Sequence, residues 1–194
     1  IDEGVAIEDK VAIMGGSYGG YATLVGLTYT PETFACGVDI VGPSNLETLL
    51  STIPPYWAPV VAQFHERMGN PNTPEGKQLL IDASPLYKAD QIVKPLLIGQ
   101  GANDPRVNQA ESDQIVEAMK AKNIPVTYVL FPDEGHGFAK PSNNIAFNAV
   151  TENFLATCLG GRAEPIGETI EESTAQIEEG ADFVQGLKAA IDAD

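Results

Sequence analysis

Lys10-Val11-Ala12-Ile13-Met14-Gly15-Gly16-Ser17-Tyr18-Gly19-Gly20-Tyr21 is the stretch on which the rest of the chain turns. The apolar run at 10–14 ends in glycines, which suits a buried parallel strand. A helix pattern follows over 18–29, with Tyr21, Leu24, Val25 and Leu27 at its apolar positions and Pro31 beyond its end. A strand that ends in Gly-x-Ser-x-Gly and runs straight into a helix must turn sharply, and the turn lifts the serine hydroxyl above the sheet. Gly15 and Gly19 bracket Ser17, because larger side chains there would strike the flanking strand and helix. The same turn leaves the backbone N–H of Tyr18 at a helix start, where it can stabilise an oxyanion. Ser17 is the candidate nucleophile.

Outward from this turn, strand and helix patterns alternate. Apolar runs at 34–41, 95–99 and 126–131 read as further strands, and helical or ordered segments are expected over 45–53, 56–68, 74–81, 107–122 and 143–159. This alternation predicts an α/β fold, a parallel sheet of about four strands with helices on both faces. The domain is expected to occupy 1–161, ending near Gly160-Gly161. Beyond it, 162–194 is an acidic C-terminal extension with nine acids against Arg162 and Lys188. Ile177, Phe183, Val184, Leu187 and Ile191 outline an amphipathic helix that Gly180 and Gly186 weaken. A solvated tail and a docked helix both remain open.

A serine of ordinary acidity needs a base within hydrogen-bond reach. The chain has two histidines. His136, in Asp133-Glu134-Gly135-His136-Gly137-Phe138, lies in a glycine-flanked loop directly after the last strand, whereas His65 falls within an expected helix. Loops beyond strand C-termini converge on the site in such sheets, so His136 is the expected base. The base in turn needs a carboxylate to hold its tautomer. Asp104, in Gly101-Ala102-Asn103-Asp104-Pro105-Arg106-Val107, follows the third strand and completes the chain order Ser, Asp, His. Asp82 and Asp90 precede that strand, and Asp133 and Glu134 lie too close to His136 in sequence to reach its far nitrogen easily. Helix capping is the alternative use for Asp104, since Pro105 suits a first turn.

The formal net charge is −16, which argues against nucleic acid and against anionic membranes as partners. No apolar run approaches the length of a membrane span. Cys36 and Cys158 lie in separate apolar elements and are expected to be buried free thiols. The chain opens at Ile1-Asp2-Glu3-Gly4 without an initiator Met and reads as a fragment of a longer protein.

Three signatures occur in order: Gly-Gly-Ser-Tyr-Gly-Gly-Tyr at 15–21, Gly-x-x-Asp-x-Arg-Val at 101–107, and Glu-Gly-His-Gly-Phe at 134–138. Together they resemble the catalytic domain of the prolyl oligopeptidase family of serine peptidases, and are most similar to its acylaminoacyl-peptidase-like branch. The resemblance runs from Asp9 to about Gly167 and includes Leu159-Gly160-Gly161-Arg162-Ala163-Glu164-Pro165. It implies the C-terminal half of an α/β-hydrolase fold, with the N-terminal strands and the family's β-propeller absent from this chain. It implies a triad of Ser17, Asp104 and His136, one oxyanion donor from Tyr18, and no metal or cofactor. The loop and tyrosine that complete the oxyanion hole would lie upstream. Arg106 matches a position at which the family binds a substrate carbonyl, with a surface ion pair as the alternative. Tyr56 and Trp57, beside Pro54-Pro55, fall where a substrate pocket wall is expected, with core packing as the alternative. The dipeptidyl branch uses paired aromatics in the neighbourhood of Leu49 and Leu50, which counts against dipeptidyl specificity.

The implied activity is hydrolysis of short or N-acylated peptides through an acyl-enzyme on Ser17. A carboxylesterase with the same triad and a catalytically incompetent half-domain are the alternatives. The implied partner is a peptide or small acyl substrate, and the open sheet edge offers a surface for a homodimer.

Overall fold

A computed structural model describes residues 1–192. Four strands, β1 (Ala12–Gly16), β2 (Cys36–Ile40), β3 (Leu96–Gly101) and β4 (Val126–Phe131), lie side by side in sequence order and are all parallel. A fifth, β5 (Gln176–Glu179), pairs antiparallel with the outer edge of β4. Between the parallel strands run α1 (Tyr18–Tyr29), α2 (Leu46–Ser51), α3 (Val61–Arg67), α4 (Pro74–Ala83) and α5 (Gln109–Lys120). After β4 come α6 (Pro141–Leu159) and, past β5, the short α7 (Leu187–Ile191). No helix among the described residues is long and apolar enough to cross a membrane.

Strand alternation sorts the core into two layers. Leu96 and Ile98 of β3, with Tyr128 and Leu130 of β4, face α1 and α5 through Leu24, Leu27, Ile115 and Met119. Leu97, Val129 and Phe131 face the other way, onto Phe147, Val150 and Phe154 of α6. Burial on both sides explains why these strands read as continuous apolar runs. The sheet therefore has helices on both faces, as the alternating pattern predicts.

Three findings differ from the sequence expectation. β1 sits two residues later than the apolar run, because the ladder to β2 continues through Gly15↔Asp39 and Gly16↔Ile40. Among the described residues it pairs with β2 alone, and Met14 stands half exposed. Cys36 and Cys158 are not separate thiols but a disulfide, since the start of β2 and the end of α6 meet with Cα atoms 6.3 Å apart. Residues 162–192 dock on the domain, as one of the two readings has it, but not as one amphipathic helix. Ile166, Ile170, Val184 and Leu187 enter the same buried cluster as α6, and β5 extends the sheet.

Candidate active site

The turn from β1 into α1 places Ser17 at φ 58° and ψ −117°, a left-handed backbone at a residue with a side chain. Such a conformation costs about 1–3 kcal/mol and persists only where the surroundings enforce it. Two observations show the enforcement. The Ser17 N–H donates to the Ile40 carbonyl at 2.8 Å, and a Cβ on Gly15 would lie 2.5 Å from the Gly19 carbonyl carbon. The Tyr18 N–H follows at the first position of α1, among the amides that a helix leaves unpaired.

Asp104 lies in the loop after β3. Its Oδ1 accepts the N–H groups of Arg106 (2.8 Å) and Val107 (3.0 Å), which closes a local turn ahead of α5. Its Oδ2 is 2.7 Å from His136 Nδ1. One carboxylate oxygen thus serves the loop and the other the imidazole, while α5 itself begins after Asn108. Its side chain is fully buried and that of His136 only 14% exposed, so this contact is largely shielded from water. His136 Nε2 lies 2.8 Å from Ser17 Oγ.

The loop carrying His136 follows β4 and is held from beneath. Glu134, itself buried, accepts the N–H groups of Ala139 (3.0 Å) and Lys140 (2.8 Å) and the Asn143 side-chain amide (3.0 Å). The Glu134 carbonyl accepts the Asn103 N–H at 2.9 Å, tying the loop to the one that bears Asp104. Asp133 faces Lys140, Thr174 and Asn143, and the Lys140 ammonium with these donors lowers its carboxyl to about 2. Asp82 accepts from Gln78, and Asp90 is exposed. None of these acids takes part in the Ser17–His136–Asp104 chain of hydrogen bonds, nor does His65 on α3.

Beside Ser17 opens an apolar pocket of about 150 Å³. The segment after β2 contributes Pro43, Leu49, Leu50 and Ile53, and the next segment contributes Trp57, Phe64 and Met68. Arg106, Val107 and Tyr18 complete the lining. Of the expected aromatic pair, Trp57 reaches the pocket and packs on Phe64 with ring centroids 5.6 Å apart. Tyr56 stands outside the lining, more than half exposed, edge-on to Trp57. Leu49, Leu50 and Ile53, and likewise Phe64 and Met68, are spaced as one helical face. Sequence alone reads such a face as core, and only the fold shows that it opens beside Ser17. Among the described residues no group of three or more His, Cys, Asp or Glu side chains could hold a metal ion.

Comparison with known proteins agrees with this architecture. Over 191 residues the chain is 71% identical to dipeptidyl aminopeptidase BIII of Pseudoxanthomonas mexicana, covering 98% of this chain and 28% of that protein. It is 30% identical over 154 residues to the acylamino-acid-releasing enzyme of Sus scrofa, covering 78% of this chain and 21% of that enzyme. Among solved structures, a puromycin-hydrolyzing peptidase of Mycobacterium tuberculosis superimposes with a TM-score of 0.75 at 29% identity, over 83% of this chain and 24% of that one. The chain thus spans between a fifth and a third of the length of these relatives. Residues 1–162 match the pattern of the prolyl oligopeptidase family, and the chain belongs to that family.

Proposed function

We propose that this chain carries the catalytic residues of a serine peptidase that cleaves short peptides by acyl transfer through Ser17. The supporting observation is the unbroken path from buried Asp104 Oδ2 through both nitrogens of His136 to Ser17 Oγ, in steps of 2.7 and 2.8 Å. With Nδ1–H donating to Asp104, Nε2 is left free to accept the serine proton. Ser17 Oγ then attacks the substrate carbonyl carbon, and the carbonyl oxygen takes up the negative charge against the Tyr18 N–H. The protonated Nε2 delivers its proton to the departing amine. Water, deprotonated at the same nitrogen, attacks the acyl-enzyme and restores Ser17. A second oxyanion donor, which the family resemblance assigns to an upstream tyrosine, would contribute about 10²–10³-fold in rate.

The substrate reading follows the relatives' names and the pocket. The 71% identical relative is named a dipeptidyl aminopeptidase, which favours release of dipeptides over the expectation drawn from Leu49 and Leu50. Those two leucines line an apolar pocket suited to an aliphatic or small aromatic side chain on the acyl side of the scissile bond. Among the described residues no carboxylate lines that pocket, so recognition of a free substrate ammonium would draw on residues outside it. The 30% identity to acylamino-acid-releasing enzymes supports N-acylated peptides as the second substrate reading.

Ser17→Ala in the full-length protein should abolish covalent labelling by a fluorophosphonate and lower kcat by about 10⁶-fold. Labelling that survives this substitution would overturn the assignment. Comparing dipeptidyl and N-acyl-aminoacyl amides then decides between the two substrate classes.

A further inference from the structure

Glu111 lies in the first turn of α5 and is almost completely buried. Burial pushes its carboxyl pKa up, against the pull of the donors around it. Removing a carboxylate from water costs several kcal/mol unless hydrogen bonds replace the lost hydration. Here they do. Oε2 accepts the backbone N–H groups of Ser44 (3.0 Å) and Asn45 (2.8 Å) and the side-chain amide of Gln114 (2.9 Å). Oε1 accepts the Thr48 hydroxyl, and Ser44 Oγ donates to the Glu111 carbonyl at 2.6 Å. A packing role alone would be better served by an apolar side chain. This carboxylate instead grips two successive amides at the start of α2.

The position of those amides gives the grip its consequence. Pro43, immediately before them, and Leu49 and Leu50 on α2 line one part of the pocket beside Ser17. Arg106 and Val107, just ahead of α5, line another part. Glu111, with Gln114 beside it donating to Ser44 Oγ at 2.8 Å, ties α5 to the start of α2, and only Glu111 holds the two backbone amides. We propose that Glu111 is a positioning residue that sets the width of the pocket beside Ser17, and with it the discrimination between large and small apolar side chains on the acyl side of the scissile bond. The proposal rests on the serine-peptidase reading above.

The test uses the full-length protein with Glu111→Ala, Glu111→Gln and Glu111→Asp. Each is assayed on two coumarylamide peptides that differ only in leucine or alanine before the cleaved bond. Each is also labelled with a small fluorophosphonate that enters no side-chain pocket. For Glu111→Ala the leucine-to-alanine ratio of kcat/KM should fall about tenfold, carried by KM, while the labelling rate stays within about twofold of the parent. Glu111→Gln keeps an acceptor for the two amides and should retain the parent ratio. Where Glu111→Ala does not fold, Glu111→Asp, which withdraws the carboxylate by one methylene, should lower the ratio in the same direction. An unchanged ratio in a folded Glu111→Ala or Glu111→Asp variant would overturn the proposal. So would a labelling rate that falls in step with peptidase activity, which marks general disruption. A parent protein that is not labelled at all would overturn the serine-peptidase reading instead.

Discussion

Ser17 shares its strained backbone with a second residue beneath the site: Val41, at φ 49°, is β-branched and follows β2 directly. Between these positions lies Asp39, on β2 opposite Gly15. Its carboxyl is wholly buried, and neither oxygen has a hydrogen-bond partner. It is wedged so tightly that a Cβ on Gly20 or Gly42 would come within 2.1 or 2.2 Å of Oδ1. Burial pushes its pKa well above the usual carboxylate range, and the nearby Gly42 amide offsets this only in part. The folded state thus holds this proton to a higher pH than the unfolded chain does. Its contribution to stability is fully present below the unfolded pKa, near 4, and is lost as pH rises toward the folded pKa, at about 1.4 kcal/mol per pH unit. Asp39→Asn removes the ionisation while keeping the shape. Urea denaturation of parent and variant at pH 4, 5, 6 and 7 should therefore show a difference that grows with pH in favour of the variant. A difference independent of pH would mean that Asp39 is no more costly to ionise in the fold than out of it. Ser17, His136 and Asp104 were legible in the sequence because each sits in a glycine-bounded signature after an apolar run. Asp39 and Glu111 were not. One interrupts a strand that otherwise reads as buried, and the other looks like any acid at the start of an amphipathic helix.

At the scale of elements, the long helices were legible to within a few residues, since their apolar spacing and flanking prolines act locally. The segment past 162 was not, and it lies beyond the family's matched region. Gln176-Ile177-Glu178-Glu179 holds one apolar residue, too little to announce a strand. Its strand character comes from β4, whose outer edge would otherwise be open. The segment also reaches the histidine loop. Asn143 Oδ1 accepts the Thr174 N–H at 2.9 Å, while the Nδ2 of the same side chain donates to Glu134, which holds the loop backbone. Gly180 fixes the exit from β5. Its φ is +72°, its carbonyl accepts the Thr127 hydroxyl at 3.1 Å, and a Cβ there would sit 2.0 Å from the Val126 carbonyl oxygen. Gly180→Ala must relieve that collision by moving β5, so it should cost about 1–3 kcal/mol. Limited proteolysis should then cut first within 163–192, well before the parent is cut there. Equal resistance of parent and variant would show that β5 is not anchored through Gly180.

For the whole molecule, the sheet ends on β5 at one side and on β1 at the other, and these ends carry different meanings. β5 covers β4 from within the chain, whereas β1 leads into Ser17 and pairs on its outer side with nothing among the described residues. That edge is the surface on which the proposal of a homodimer rests. The disulfide lies next to β1, since Cys36 of β2 is in register with Ala12. Cys36 opens β2 and Cys158 ends α6, so one bond closes a span of 122 residues that includes β3, β4 and the loops bearing Asp104 and His136. Sequence could not pair them, because only the wrapping of α6 back across the sheet brings the two ends together. Constraining a loop of that size in the unfolded chain is worth roughly 4–5 kcal/mol by chain entropy, and removal of such bridges typically costs about 2–5 kcal/mol. Cys36→Ser should therefore lower Tm by roughly 5–15 °C. A strong dithiol reductant, in excess and under mildly denaturing conditions, should destabilise the parent without affecting the variant. A non-reducing digest of the parent should yield one linked peptide pair containing Cys36 and Cys158. Recovery of both peptides unlinked, with both thiols open to alkylation after denaturation, would show that the two elements meet without a covalent tie. The loops bearing Asp104 and His136 would then depend on packing and on the hydrogen bonds between them for their spacing.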